Sequence, residues 1–294
     1  VLSSEDLAYA AGFIDGDGCV AARLRIRNGI RHYEMTVKAA SITPAVLHKL
    51  RRLLGGAICE LAVRKGRRKW EWHLYGRAAF RFLSAGLPYF RIKREEALLA
   101  LVFQSSLDVR GRCMRIPVSV DVHALRENLI NILQALKVPR LPVPLLHGRG
   151  SALPASTDFA YAAGFMDAEG TVNIAPAGLS WGLKAQVVNT NQEVIESFER
   201  QFGGRMYRVS AGRIRPIYQW VICGAKAAAF LRAIQPHLVV KQDETVIGLR
   251  LQESVDSMKH RRFGQRLTDT QLKERAALSK RIRILRQIPK EMPA

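Results

Sequence analysis

Hydrophobic and polar residues alternate over several short stretches, and this alternation predicts β-strands that are buried on one face. In the stretch 21–28 (AARLRIRN), arginine occupies every second position, with Ala, Leu or Ile between the arginines. At 70–73, two tryptophans alternate with Glu71 and His73. Because side chains of a strand point to its two faces in turn, one face should pack while the other stays polar. We therefore expect Trp72 to lie in the core.

Between these stretches the hydrophobic spacing becomes helical. It predicts helices at 43–54 and 191–202, and one helix through each of the stretches 6–18 and 158–170. The resulting order, α-β-β-α-β-β-α, is typical of an α+β protein. Residues 112–136 should form a strand or turn followed by a helix. The tail from 268 to about 287 should form a basic helix with one apolar stripe.

The chain contains an internal repeat. The segment DLAYAAGFIDGDG at 6–18 returns as DFAYAAGFMDAEG at 158–170, an offset of 152 residues. Later landmarks keep an offset of 148 residues: Gly55-Gly56 with Gly203-Gly204, Trp72 with Trp220, Gly76 with Gly224, Pro88 with Pro236, and Lys93 with Lys241. The first copy thus has four extra residues shortly after its motif, which predicts a longer hairpin there.

The repeat suggests two domains joined by a linker. Residues 1–136 would form the first domain, residues 137–157 the linker and residues 158–294 the second domain. The linker contains four prolines and two glycines, which favour an extended segment over a regular element.

Charge narrows the choice of partner. Among 294 residues, 46 Lys and Arg face 25 Asp and Glu, a formal net charge of +21. Such self-repulsion favours a polyanionic partner, and nucleic acid is the first candidate.

The four cysteines form no Cys-x-x-Cys pair, so we expect buried free thiols and no zinc site. No apolar run could span a bilayer, and the first residues do not resemble a signal peptide, so we expect a soluble intracellular protein.

Small residues recur along both motif helices. Ala8, Gly12 and Gly16 are spaced every fourth residue, and Ala160, Gly164 and Ala168 repeat this pattern. Helices with faces poor in side chains can approach closely, so we expect the two helices to pair with each other. The glycine that follows each helix, Gly18 or Gly170, is expected to end it in the left-handed conformation.

Each motif helix ends in acidic residues, and pairing would bring Asp17 and Glu169 together. A carboxylate at a helix C-terminus meets the negative end of the helix dipole, and two adjacent carboxylates repel each other. A cation must therefore compensate. Hard oxygen ligands suit Mg²⁺, which keeps several waters and bridges to phosphate oxygens, and this arrangement is typical of metal-assisted phosphodiester hydrolysis.

The segments AAGFIDGDG (10–18) and AAGFMDAEG (162–170) resemble two copies of the LAGLIDADG signature of homing endonucleases, with Ala in place of the leading Leu. The resemblance extends over roughly 7–105 and 159–252. It implies two pseudo-symmetric αββαββα repeats that meet at a central pair of motif helices. Each repeat would carry a four-stranded antiparallel DNA-binding sheet.

The resemblance also implies roles for individual residues. The second acid of each motif, Asp17 or Glu169, would bind metal with help from the backbone carbonyls of Gly16 and Ala168. The first acids, Asp15 and Asp167, would be helix-capping or structural. Further catalytic positions would be Lys93 and Lys241, which can offset transition-state charge, and the polar residues Ser41 and Asn189. Ser41 is short for positioning a water molecule, so Asn189 is the better match to the family.

The polar strand faces supply candidate DNA-contacting residues, since a twisted strand pair fits the major groove. In the first repeat they are Arg23, Arg25, Arg27, Lys38, Arg64, Lys69, Glu71 and His73. In the second they are Asn173, Lys184, Gln186, Arg208, Arg213, Arg215 and Gln219.

The expected activity is that of a site-specific, intron-encoded homing endonuclease. Because the two repeats differ, a monomer would act on one long asymmetric DNA duplex. The resemblance to the family further implies that both strands are cut and that short 3′ overhangs are left. Mg²⁺ would be the cofactor, Mn²⁺ a substitute, and Ca²⁺ would support binding without cleavage. Bacterial cytoplasm and organelle matrix both fit. An RNA maturase that binds intron RNA and a non-cleaving DNA-binding regulator are alternatives on the same fold, but neither needs two acids at the helix ends.

Overall fold

The chain folds into two compact units in the computed structural model, residues 1–147 and residues 148–294. The structure describes residues 2–64, 67–108, 119–137, 154–177, 180–209, 216–257 and 267–287. Among these residues, no helix combines the length and the apolar character that crossing a membrane requires. Each unit is described below by itself.

The first unit has the predicted order of elements. Its elements are α1 (Ser4–Asp17), β1 (Gly18–Arg27), β2 (Ile30–Ser41), α2 (Pro44–Leu54), β3 (Ala57–Arg64), β4 (Arg67–Tyr75), α3 (Gly76–Gly86), α4 (Arg94–Asp108) and α5 (Val120–Leu136). Helix α1 begins with a capping box, in which the Ser3 hydroxyl accepts the Asp6 N–H and the Asp6 carboxylate accepts the Ser3 N–H.

The four strands form an antiparallel sheet in the order β1-β2-β4-β3. One face of this sheet packs against α1 to α4 and buries Val20, Val37, Trp72 and Leu74. The opposite face, turned away from these helices, is called the open face. Trp72 is fully buried, which confirms its predicted place in the core.

The second unit repeats this arrangement. Its elements are α6 (Ser156–Glu169), β5 (Gly170–Ala177), β6 (Ser180–Asn189), α7 (Gln192–Phe202), β7 (Arg205–Val209), β8 (Ile217–Cys223), α8 (Gly224–Ile234), α9 (Gln242–Asp256) and α10 (Asp269–Gln287). The antiparallel sheet has the order β5-β6-β8-β7. Helix α10 confirms the predicted C-terminal helix. Helix α6 begins at Ser156, so the last two residues of the predicted linker are helical.

The longer hairpin predicted in the first repeat is confirmed. Strands β1 and β2 have 10 and 12 residues, whereas β5 and β6 have 8 and 10. Asn28 and Gly29 connect β1 to β2, both with positive φ (49° and 74°). An Asn-Gly pair with positive φ matches the right-handed twist of the strands that it joins.

The repeated Gly-Gly and Trp landmarks form one local structure. The Trp72 indole N–H donates to the Gly55 carbonyl at 2.8 Å, and the Trp220 indole donates to the Gly203 carbonyl at 2.7 Å. A Cβ atom on Gly56 would lie 2.3 Å from the His73 carbonyl oxygen. Glycine therefore lets the chain pass close to the β4 backbone, which explains the constant spacing of these residues.

A fifth helix covers the edge strand of each sheet. Helix α5 packs on α4 and β1, and α10 packs on α9 and β5. Each helix buries one arginine, Arg126 or Arg275, whose guanidinium donates to the carbonyl of Ser106 or Ser254 in the preceding helix. These carbonyls occupy equivalent positions, so the repeat extends beyond the region identified from the sequence. The predicted strand or turn at 112–118 and most of the predicted linker lie outside the described residues.

Candidate functional site

The two acids singled out by the motif are the last residues of their helices. Asp17 ends α1 and is exposed, and Glu169 ends α6 and is partly exposed. The residues before them, Gly16 and Ala168, are also partly exposed. The last carbonyl groups of a helix have no partner within it. Each helix end therefore offers carboxylate and carbonyl oxygens at one place.

The glycine after each acid does not have the conformation predicted from the sequence. Gly18 has φ −99° and ψ 176°, and Gly170 has φ −86° and ψ 162°, so both are extended and the left-handed prediction was wrong. Crowding requires glycine here, because each strand starts directly at this residue. A Cβ atom on Gly18 would lie 2.6 Å from the Ile14 Cα, and one on Gly170 would lie 2.5 Å from the Met166 carbonyl oxygen.

Gly18→Ala is therefore expected to destabilise the protein by about 2 kcal/mol, because the new methyl group must displace backbone atoms. Gly86→Ala is the matched control, since the three atoms nearest to its Cβ would be ring carbons of Phe82 and Phe90 at 3.4–3.8 Å. Urea unfolding of both variants measures the difference. A Gly18→Ala variant as stable as Gly86→Ala would refute the crowding argument.

Asp15 is buried inside the first unit and holds the segment that leads into α4. Its carboxylate accepts three consecutive backbone N–H groups, from Arg91 at 2.8 Å, Ile92 at 3.1 Å and Lys93 at 2.9 Å. Hydrogen bonds to a carboxylate are among the stronger ones in proteins. Asp15 thus has a structural role, as the family resemblance implied.

Asp167 repeats this arrangement in the second unit. Its buried carboxylate accepts the backbone N–H groups of Val239 at 2.8 Å, Val240 at 2.9 Å and Lys241 at 2.9 Å. The first acid of each motif therefore accepts hydrogen bonds from backbone N–H groups of its own unit. Only the second acid, Asp17 or Glu169, remains at the surface of the helix end.

These contacts place a lysine beside each helix end. The Lys93 ammonium donates to the backbone carbonyl of Asp15 at 2.5 Å, two residues before Asp17. Lys241 is the N-cap residue of α9, and its N–H is held by Asp167. Both lysines are partly exposed. The structure thus brings each predicted catalytic lysine close to the helix end of its own unit.

The polar residues predicted at the strand ends differ between the units. Ser41 and Asn189 are the last residues of β2 and β6. The Ser41 hydroxyl accepts the Thr43 N–H at 3.0 Å, and the Asn189 side-chain oxygen accepts the Asn191 N–H at 2.8 Å. The Asn189 amide also donates to the Glu169 carboxylate at 3.2 Å. Asn189 therefore contacts Glu169, the candidate metal-binding acid of its unit, directly.

Comparison with known proteins finds similar structures but no similar sequences. The sequence matches no protein-family model and no curated protein. The LAGLIDADG homing endonuclease I-GzeII, in complex with a DNA target, matches with a TM-score of 0.66 and 14% identity over 95% of this chain and 98% of that chain. I-SmaMI, bound to an uncleaved DNA target in the presence of calcium ions, matches with a TM-score of 0.65 and 17% identity over 93% and 97%. I-SmaMI bound to cleaved DNA gives 0.64 and 15% over 93% and 95%.

This chain has the LAGLIDADG homing endonuclease fold. The two four-stranded antiparallel sheets and the motif helices α1 and α6 correspond to the fold expected from the sequence.

The sequence analysis did not identify a glutamate that follows each of the two candidate lysines. Glu96 and Glu244 lie three residues after Lys93 and Lys241 and share the 148-residue offset, which is the signal that could have identified them. Burial raises the pKa of Glu96, while the charge of Lys93 lowers it and the charge of Asp15 raises it further. Glu244 is buried, and within the described residues one of its carboxylate oxygens has no hydrogen-bond partner.

The open face of the first sheet carries most of the residues predicted to contact DNA. Glu34 pairs with Arg23 at 2.9 Å and with Arg25 at 3.5 Å. Glu71 pairs with Lys38 at 3.2 Å and with His73 at 2.9 Å. Lys69 and Arg27 are exposed on the same face by strand alternation. The acids hold several cationic side chains in place, so the face is ordered as well as basic.

The open face of the second sheet is more polar than basic. Asn173 and Lys184 are cross-strand partners there, and the Gln219 amide donates to the Gln186 side chain at 3.0 Å. Arg208 does not belong to this face, so the face predicted for it was wrong, while its contact with DNA stays a prediction. It pairs with the buried Tyr218 and so shares the helix-facing side.

The spacing of the arginines along β7 explains why Arg208 lies on the helix-facing side. The cations Arg205 and Arg208 are three positions apart on one strand, so alternation sends them to opposite faces. Arg205 and Tyr207 occupy the open face instead. Arg213 and Arg215 lie outside the described residues, as does the side chain of Arg64.

The cysteines also differ from the sequence prediction of buried thiols. Cys59 and Cys223 are exposed and Cys19 is partly exposed, while Cys113 lies outside the described residues. Strand alternation explains this, because all three lie on open-face positions of β1, β3 and β8. Within the described ranges, no three His, Cys, Asp or Glu side chains are placed to enclose a metal ion.

Proposed function

We propose that the protein is a site-specific DNA endonuclease that hydrolyses both strands of a long, asymmetric duplex with the help of Mg²⁺. The observation that carries the proposal is the repeated helix end. In each unit an acid at the end of the motif helix stays at the surface, while the preceding acid is buried and positions a lysine beside it. Two such half-sites match the two strands of a duplex.

The residues present fit a hard divalent cation. The donor set at the helix ends consists of the carboxylates of Asp17 and Glu169 and the carbonyls of Gly16 and Ala168, all oxygen. Mg²⁺ prefers oxygen ligands, keeps several waters and needs only one or two protein carboxylates when phosphate supplies the rest. Bound there, the ion would lower the pKa of an attacking water and neutralise phosphate charge. Ca²⁺ would support binding without cleavage and Mn²⁺ would substitute for Mg²⁺.

The neighbouring side chains have complementary roles in this proposal. Lys93 and Lys241 would each supply a positive charge near the acid of their own unit, where it would stabilise charge on the scissile phosphate. Asn189 holds the Glu169 carboxylate through its amide and so orients one half-site. Ser41 has no group long enough to do the same for Asp17. The half-site of the second unit would therefore be the better ordered.

The open faces of the two sheets would read the DNA. Arginine and lysine contact phosphates and guanine edges, and amides such as Gln186 and Gln219 pair with adenine edges. The first face is more basic than the second, so the expected target is asymmetric, with one half contacted by each unit. We propose that a single chain acts as a monomer and that cleavage leaves short 3′ overhangs.

The test is cleavage of a randomised duplex library by the purified protein. We expect double-strand breaks at one long asymmetric sequence in Mg²⁺, bound but intact duplex in Ca²⁺, and neither cleavage nor strong site preference in EDTA. Sequencing the cut ends gives the target and the overhang. Binding of one duplex site without cleavage in either Mg²⁺ or Mn²⁺ would contradict the proposal and favour a non-cleaving regulator. Preference for structured intron RNA over every duplex would favour the maturase.

A further inference from the structure

Each fifth helix places a cation next to the strand that follows the catalytic acid. In the first unit, the Lys137 ammonium lies 3.3 Å from the Cys19 sulfur on β1. In the second, the Arg286 guanidinium donates to the backbone carbonyl of Val172 on β5. Both side chains are exposed. Neither cation belongs to the predicted site.

The two cations occupy equivalent positions. Lys137 follows the buried Arg126 by eleven residues, and Arg286 follows the buried Arg275 by eleven residues. Eleven residues are about three helical turns, so the buried arginine and the later cation lie on the same side of their helix. Because each buried arginine binds an equivalent serine carbonyl in α4 or α9, the helices are held in the same register.

Other contacts fix the line of each helix along the strand edge. On α5, His123 and Glu127 bond the Tyr33 hydroxyl at 2.9 Å and 3.2 Å, near the tip of the first hairpin. On α10, the Ser279 hydroxyl donates to the Ile174 carbonyl at 3.0 Å. Each helix therefore runs from the hairpin towards the catalytic end of β1 or β5, and the cation is its last contact.

The cation of the first unit lies on the open face. Cys19 alternates with the buried Val20 and pairs with Lys38, whose ammonium contacts Glu71 on that face. Cys19 comes two residues after Asp17, about 7 Å along an extended strand. Strand β1 is the sheet edge, so Lys137 reaches around this edge from the helix side.

The cation of the second unit lies at the matching edge. Strand β5 is also an edge strand, and Val172 comes three residues after Glu169, about 10 Å along the strand. Thr171 and Asn173, on either side of Val172, occupy the open face. Arg286 uses one N–H group on the Val172 carbonyl, and a guanidinium carries five N–H donors.

We propose that Lys137 and Arg286 are a pair of phosphate-binding residues, one per unit, that contact the DNA backbone beside each scissile phosphate. The proposal rests on the proposed endonuclease function. A cation within about 10 Å of the acid, at the edge of the open face, is placed to bind a phosphate one or two nucleotides from the cut. Such contacts fix the register of the duplex against the acids without reading sequence.

The experiment measures how binding depends on salt. Wild-type protein, Lys137→Gln, Arg286→Gln and the double variant are titrated with a labelled duplex of about 30 base pairs, three helical turns, in Ca²⁺ at several KCl concentrations. Each phosphate contact contributes about 0.9 to the slope of log K against log salt. We expect each single variant to lower the slope by about 1 and the double variant by about 2.

Matched controls separate a defined contact from general attraction. Arg52→Gln on α2 and Lys280→Gln on α10 each remove one exposed cation away from the strand edge, and their slopes should stay at the wild-type value. Lys137→Arg and Arg286→Lys keep the charge and should also keep the slope. Because Lys137 is exposed, Lys137→Gln tests the proposal even where Arg286→Gln weakens the fold.

Each other result has a distinct meaning. Slopes that stay unchanged in Lys137→Gln and Arg286→Gln, or that fall equally in the controls, would overturn this proposal while wild-type cleavage of the library target still supports the endonuclease. Wild-type protein that neither binds nor cuts any duplex would overturn the proposed function itself, and this inference with it.

Discussion

Replacing Asp17 with Asn, or Glu169 with Gln, is expected to abolish double-strand cleavage while leaving binding in Ca²⁺ within about tenfold of the wild type. If these acids bind the catalytic metal as we propose, loss of one carboxylate removes several kcal/mol of transition-state stabilisation, about a thousandfold in rate. Asp17 is exposed at the end of its helix, so the substitution opens no cavity. The measurement is single-turnover cleavage of the library-derived target, with nicked and linear products resolved by electrophoresis.

The fold should tolerate the same change. A carboxylate at a helix C-terminus is unfavourable by a few tenths of a kcal/mol to about 1 kcal/mol, so Asp17→Asn should be as stable as the wild type or slightly more stable. Glu95→Gln, an exposed acid on α4, is the control and should cleave normally. Wild-type rates in both Asp17→Asn and Glu169→Gln would show that these acids do not bind the catalytic metal.

The fold was predictable from the sequence because the repeat made the same local evidence appear twice. Strand alternation identified the buried face that contains Trp72, and the changed offset between the motifs located the longer hairpin. Hydrophobic periodicity is set by backbone geometry, so a pattern within one element is sufficient to find it. The equivalence of α5 and α10 was not recognised in the sequence. It rests on single arginines, Arg126 and Arg275, and no strong motif surrounds them.

The candidate site was predictable only where a motif marked it. Asp17 and Glu169 followed from the LAGLIDADG resemblance, but the partners of Asp15 are backbone N–H groups 76 to 78 residues away, which no sequence pattern identifies. Arg208 was assigned to the wrong face of the sheet because it was chosen for its charge, whereas the register of β7 determines which face a side chain occupies. The prediction for Gly18 took the glycine as a sign of left-handed backbone, whereas glycine is needed there because a Cβ atom would collide with Ile14 of the preceding helix.

The second large effect is expected from an acid that contacts no metal in our proposal. Asp15→Ala should destabilise the first unit by about 3–5 kcal/mol, because it removes the buried carboxylate that accepts three part-buried backbone N–H groups. For a domain of this size, that loss corresponds to a fall in Tm of about 10 °C. Urea unfolding and hydrogen exchange at the amides of residues 91–93 measure it. Asp167→Ala should give the same result at residues 239–241.

Comparison with the neighbouring acid makes this prediction sharp, because Asp15 and Asp17 lie two residues apart on one helix, yet Asp15 is buried and Asp17 is exposed. Asp17→Ala should leave stability nearly unchanged and remove cleavage, whereas Asp15→Ala should weaken the fold and slow cleavage through displacement of Lys93. Exchange at 91–93 should accelerate only in Asp15→Ala. Equal destabilisation by the two substitutions would mean that the buried hydrogen bonds of Asp15 contribute little. In that case the position of Lys93 must depend on other contacts of α4.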